Sequence, residues 1–199
     1  MSESSSVAPG PNERPAAFTD LHTRARRVGQ WAWVERRVFE LFGDWAGTTA
    51  DPDAAALFGE MSRRHGWHAE VFFDRLPELA SVDAEGLVVP PGPATEAFVG
   101  ALGAHDPASE PIDRLVAAYR VLLPMLVVEY RSAVPTFSPV AEPSLGRWVD
   151  IVLRDDLEEW SRGQQLLSAA LTDAEVVRSA GARLVELDVL AAATDRLTA

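Results

Sequence analysis

The sequence predicts an all-α protein: a bundle of four long helices with one crossover connection, followed by a fifth helix at the C-terminal end. Three observations lead there. Apolar residues recur at three- and four-residue steps over stretches far longer than a strand, the spacing of amphipathic helices. Proline and glycine gather in a few connections, where they punctuate the helices instead of interrupting them. Only Gly86-Leu87-Val88-Val89 reads as a strand.

The first helix is expected from Phe18 to about Ala46, with Leu21, Ala25, Val28, Trp31, Glu35, Val38 and Phe42 on one stripe. Gly47 to Pro52 closes it, and Asp51-Pro52 has the form of an N-cap followed by proline in the first helical turn. The second helix then runs to about Leu76, ahead of Pro77, and so short a turn makes the two antiparallel neighbours. Residues 78–93, rich in proline and glycine, suit a crossover loop, and a short helix over Ala94–Ala104 follows. A third long helix is predicted from Pro111 to Val134, kinked at Pro124, because proline removes a backbone donor and crowds the preceding turn. Pro135, Pro139 and Pro143 mark the next connection, a fourth helix covers Ser144 to Leu171, and a last one runs from Thr172 to Leu197.

Composition narrows the chemistry. The 199 residues, 47% hydrophobic, suffice for one core. Residues 1–16, rich in serine, proline and small residues, read as a disordered tail, and 17–199 as a single helical domain. All 18 basic residues are arginine, which fits a GC-rich bacterial genome, and the absence of lysine excludes Schiff-base and P-loop chemistry. With no cysteine, thiol nucleophiles and thiolate metal sites are also excluded, so any metal must be held by His, Asp and Glu. A net charge of −12 argues against nucleic acid as a partner. No apolar run approaches a membrane span and no signal-peptide pattern opens the chain, so no membrane association and a cytoplasmic location are expected.

The functional signal lies in ionisable residues on apolar stripes. His65 and His68 stand at i and i+3, which share a helix face, between Met61 and Phe72. Glu35 interrupts the stripe of the first helix, Glu129 that of the third, and Asp156 and Glu159 that of the fourth. An isolated charge inside a bundle costs several kcal/mol, on the order of what a buried ion pays after relaxation, so these six groups need partners. The pattern is expected to bring all six into one layer. Asp155, Glu158, Glu40, Glu60 and Glu70 fall off the stripes and read as solvated; Tyr119 and Tyr130 could serve redox chemistry but read more readily as core filler or capped hydroxyls, and the six tryptophans as packing residues.

One carboxylate, then a paired i, i+3 motif some thirty residues later, then the same order after a crossover, resembles the ferritin-like superfamily. Those proteins hold two iron or manganese ions between Glu on two helices and Glu-x-x-His on two others. The resemblance covers residues 20–170 and implies Glu35, His65, His68, Glu129, Asp156 and Glu159 as metal ligands. This sequence departs from the motif, reading His-x-x-His at 65–68 and Asp-x-x-Glu at 156–159, yet it keeps four carboxylates and two imidazoles, a set that balances two divalent cations.

Two functions remain open at this level. One is a metal-binding oxidoreductase with iron or manganese activating O2 or peroxide, zinc also suiting such ligands, its small-molecule substrate unspecified. The other is a metal-free bundle that acts as a binding or scaffold protein, with the histidines hydrogen-bonded to Glu35. No Gly-x-Ser-x-Gly elbow, phosphate loop or His-Glu-x-x-His motif points to a hydrolase or kinase. The final helix, with Val176, Val177, Ala180, Leu184, Leu187 and Ala191 on one side, is expected to cover the bundle or a second copy in a homo-oligomer.

Overall fold

The computed structural model describes residues 20–78, 83–103, 111–194 and 197, and among them the fold is all-helical with no strand. Helix α1 spans Leu21–Thr48, with Asp20 as its N-cap accepting from the Thr23 amide at 3.0 Å. Helix α2 spans Pro52–Phe73, and the Asp51 carboxylate accepts from the Ala54 amide at 2.8 Å, as the Asp-Pro pair predicts. It ends at Phe73, three residues before the expected Leu76, with Asp74 as its C-cap, whose amide bonds the Glu70 carbonyl. The Gly86–Val89 segment forms no strand; Glu85–Leu87 is a 3₁₀ turn. Helices α3 (Pro93–Leu102) and α6 (Pro143–Ala170) lie within two residues of their expected bounds, whereas α7 (Ala174–Ala192) stops five residues before the expected Leu197. The expected tail, residues 1–16, falls outside the described residues.

The third long helix differs from its prediction in an instructive way. It is built of α4 (Ile112–Val116), a π turn (Ala117–Leu122) and α5 (Leu123–Ala133). Pro124 cannot donate to a carbonyl of the preceding turn, and the chain absorbs it by widening that turn, with the Leu123 amide reaching back five residues to the Ala118 carbonyl. In that register Pro124 is the residue that should serve Tyr119. The Tyr119 carbonyl is instead taken by the Trp160 indole N–H at 2.8 Å and the Gln164 amide at 2.5 Å, both from α6.

Side-chain pairs give the helix directions. Along α1 and α2, Phe42 stacks on Phe58, Glu35 meets His65 and Trp31 meets Phe72, so these helices are antiparallel. Arg24 reaches Thr136 and Trp31 reaches Tyr130, making α5 antiparallel to α1. Glu60 pairs with Arg162, and Arg75 lies over Trp148, making α6 antiparallel to α2. Hence α2 and α5 run the same way, and the segment between them crosses from one end of the molecule to the other. The crossover is held close to α1 at Gly29, where a Cβ would lie 2.1 Å from the Leu87 carbonyl oxygen.

Helix α7 packs on α3, α4 and the π turn through buried Ala180 and Leu187 and half-buried Leu184 and Ala191, while Val177 is exposed. No described helix is long and apolar enough to cross a membrane.

Gly163 is a second position where only glycine fits, because a Cβ there would fall 1.9 Å from the Tyr119 ring. Gly181 on α7 has nothing within 4 Å of its Cβ position. Both are helical, so alanine gains similar propensity at each, and the difference isolates the collision with Tyr119. Gly163→Ala is therefore expected to be less stable than Gly181→Ala by about 1–3 kcal/mol. Urea unfolding of the two variants measures that gap, and equal midpoints would contradict the packing described.

Candidate metal centre

Five of the six ionisable residues marked in the sequence come together. Glu35, His65, His68 and Asp156 are 0% exposed and Glu159 is 1% exposed, so water reaches none of them. Two overlapping groups have ligand atoms within 4.8 Å of one another: Glu35, His65 and His68, and His65, Asp156 and Glu159. The i, i+3 spacing turns both imidazoles inward from α2, with ring centroids 5.3 Å apart and planes nearly perpendicular.

Hydrogen bonds fix one half of this cluster. Glu35 Oε2 lies 2.5 Å from His65 Nδ1, and Glu35 Oε1 accepts from the Tyr130 hydroxyl. His68 Nε2 lies 3.3 Å from Asp155 Oδ2. The other half has few such bonds. His65 Nε2, His68 Nδ1, both Asp156 oxygens and both Glu159 oxygens are buried without a hydrogen-bond partner. They face one another: His65 Nε2 is 3.4 Å from Glu159 Oε2, and His68 Nδ1 is 3.5 Å from Glu35 Oε2 and 3.8 Å from Asp156 Oδ1. Buried polar atoms almost always find hydrogen-bond partners, so this set, in which only Glu159 Oε1 meets a guanidinium, Arg64 Nε at 3.1 Å, marks a place for a further group. Two imidazoles and three carboxylates form a donor set that suits iron, manganese or zinc.

Glu129 joins neither ligand group. Its Oε1 sits 2.9 Å from Arg27 Nη2 and accepts from the Trp31 indole N–H at 3.1 Å, so a guanidinium two turns before Glu35 on α1 holds it. The expectation of a single layer of six is corrected to five.

Three neighbours went unmarked in the sequence. Tyr130, read as a capped core residue, caps Glu35 itself. Asp155, read as solvated, is half-buried against His68. Arg64 places Nε 3.1 Å from Glu159 Oε1. Glu60, also read as solvated, is held by Arg162 through contacts of 2.8 and 2.9 Å. Sequence adjacency was the available signal: Tyr130 follows Glu129, Arg64 precedes His65, and Asp155 precedes Asp156. His22 is exposed, and His105 lies outside the described residues.

The electrostatics follow from burial. Desolvation pushes the Glu35 carboxyl up, but the His65 charge and the imidazole hydrogen bonds outweigh it and hold the group well below its ordinary value. Burial pulls the imidazoles down, yet the Glu35 charge and contact with Glu159 carry His65 well above its usual range. Asp155 and Glu35 likewise raise His68 from 6.5 to about 9. Asp156, desolvated and facing Glu35, is pushed from 3.8 up to about 8. Burial and the Glu35 charge hold the Tyr130 phenol protonated, well above its ordinary value, which suits its role as donor.

No family model matches the chain, and no curated protein and no solved structure matches it either.

These shifts set a pH dependence for the metal-free protein. His68 and Asp156 both bind protons more tightly folded than unfolded, so stability falls as pH rises through their windows, 6.5 to about 9 and 3.8 to about 8. Glu35 acts oppositely, and its contribution is lost only as pH drops below 4.5. Between pH 6.5 and 9 the protein kept in chelator should therefore lose stability. Thermal unfolding across that range checks it, and a flat or rising midpoint would show that these groups do not carry the assigned protons.

Proposed function

We propose that this chain is a ferritin-like, metal-binding oxidoreductase that uses iron or manganese to activate O2 or peroxide. The observation that carries the reading is the set of six buried imidazole and carboxylate atoms without hydrogen-bond partners, converging from α2 and α6 beside Glu35. The helix directions support it, since α2 and α5 run parallel across a crossover as in the superfamily the sequence resembles. A bound iron or manganese ion would supply one-electron redox chemistry toward O2 or peroxide.

The residues of the chain have definable parts. Glu35, His65, His68, Asp156 and Glu159 would hold the ion. Tyr130 and the His65 contact orient the Glu35 carboxylate, and Asp155 orients His68 through Nε2, a carboxylate–histidine arrangement that fixes ring rotation and tautomer. Phe42 lies against His65, and Trp31 and Phe72 lie against Tyr130, so aromatic rings flank the cluster and help exclude water. Such burial suits a diatomic or similarly small reactant.

A second reading is a metal-free bundle that serves as a binding or scaffold protein. It is favoured by Glu35, whose two oxygens are already satisfied by His65 and Tyr130. In that case His65→Ala leaves a buried carboxylate unpaired and costs about 3–5 kcal/mol of stability, with no metal effect.

Reconstitution with ferrous iron under anaerobic conditions, followed by admission of O2, separates the two. The metal reading expects bound iron and an O2-dependent absorbance change. His65→Ala and His68→Ala should each remove most of the metal, and Asp156→Ala less, because imidazoles are the stronger ligands for first-row ions. A wild-type protein with neither bound metal nor absorbance change would leave the scaffold reading.

A further inference from the structure

Four carboxylates on inward stripes would balance two divalent cations, but two of them are already neutralised by the protein. Arg27 lies on Glu129, and Arg64 lies on Glu159. A guanidinium stays charged at any pH a protein experiences, so both positive charges are permanent. With neutral imidazoles as ligands, the buried set keeps two negative charges, those of one divalent ion. A second would leave an excess of two positive charges on a set whose carboxylates are at most 4% exposed and whose two arginines are mostly buried, at 17% and 22%, where uncompensated charge is costly.

Connectivity leads to the same count. The two possible ligand groups, Glu35 with His65 and His68, and Asp156 with Glu159 and His65, share His65. A neutral imidazole has one nitrogen lone pair to give, the other nitrogen carrying a proton, so His65 cannot serve an ion in each group. Asp156 supplies an independent sign that a ligand belongs here, being wholly buried with neither oxygen hydrogen-bonded.

We infer that the centre holds a single divalent cation per chain, and that the Arg64 guanidinium occupies, electrostatically, the place of a second ion beside Glu159. This rests on the metal-binding reading above. Arg64 is suited to the role because its own stem lies on α2, next to His65, and because Glu60 and Glu159 flank its head. Arg162, doubly bonded to Glu60, keeps that carboxylate from competing fully for Arg64.

The test uses the full chain, stripped with chelator and titrated anaerobically with Mn(II), reading bound manganese per chain by elemental analysis and the spin state by electron paramagnetic resonance. The expected result is one ion per chain with the hyperfine-split signal of an isolated Mn(II). Arg64→Gln, which removes the charge and keeps a polar side chain, frees the Glu159 charge for the ion and should tighten Mn(II) binding severalfold while the count stays at one, because both ligand groups still share His65. Two ions in the wild type would overturn the single-ion inference and leave the metal reading standing. No ion in the wild type would overturn both. A folded Arg64→Gln protein with unchanged Mn(II) affinity would remove Arg64 from the explanation. Should that variant fail to fold, the wild-type count and spectrum still decide whether the centre is mononuclear.

Discussion

The buried Glu35 carboxylate is the constraint around which the rest is arranged. A charge with no water contact must be answered by donors, and here the answers come from two other helices: an imidazole from α2 on one oxygen and a phenol from α5 on the other. One side chain thus ties three helices at a single level. His65, fixed by this bond, turns its second nitrogen toward α6, and through it Asp156 and Glu159 enter the same space. Replacing Glu35 with an apolar residue of similar size would remove the reason for the histidines, the tyrosine and the α6 carboxylates to be buried there at all.

The aromatic shell is the counterpart of that charge. Phe42 stacks on Phe58 and leans on His65, while Phe72 and Trp31 pack on Tyr130. Burying these rings contributes the apolar stabilisation that offsets desolvation of the polar cluster, and it lowers the local dielectric, so that each surviving polar contact counts for more. The cluster and its walls are therefore a single energetic unit: neither the charges nor the rings would be placed this way alone.

Much of this was legible in the sequence because stripes report which way a residue points on its own helix. Glu35, His65, His68, Asp156 and Glu159 all interrupt apolar faces, and all five are buried together. What stripes do not report is the neighbour across the gap. Glu129 interrupts its face in the same manner, yet Arg27, at a partly buried position on α1, reaches it first. Asp155 lies a hundred degrees around α6 from Asp156 and still touches His68, since a histidine that faces the core presents its outer nitrogen toward the flank of the next helix. The π turn was hidden for a different reason: a proline announces that a backbone bond is lost, while the way the chain absorbs the loss depends on the donors α6 brings.

Those donors give the π turn a further consequence. Trp160 and Gln164 converge on one carbonyl, and the gap at Gly163 between them receives the Tyr119 ring, so α6 has one seating against the third long helix. Sliding α6 by a single helical turn, about 5.4 Å, would strand the carbonyl, drive a side chain into the ring and carry Asp156 and Glu159 out of reach of His65. A bond lost to proline near one end of the helix pair thereby acts as an index mark, setting at a distance where the carboxylates of α6 come to rest.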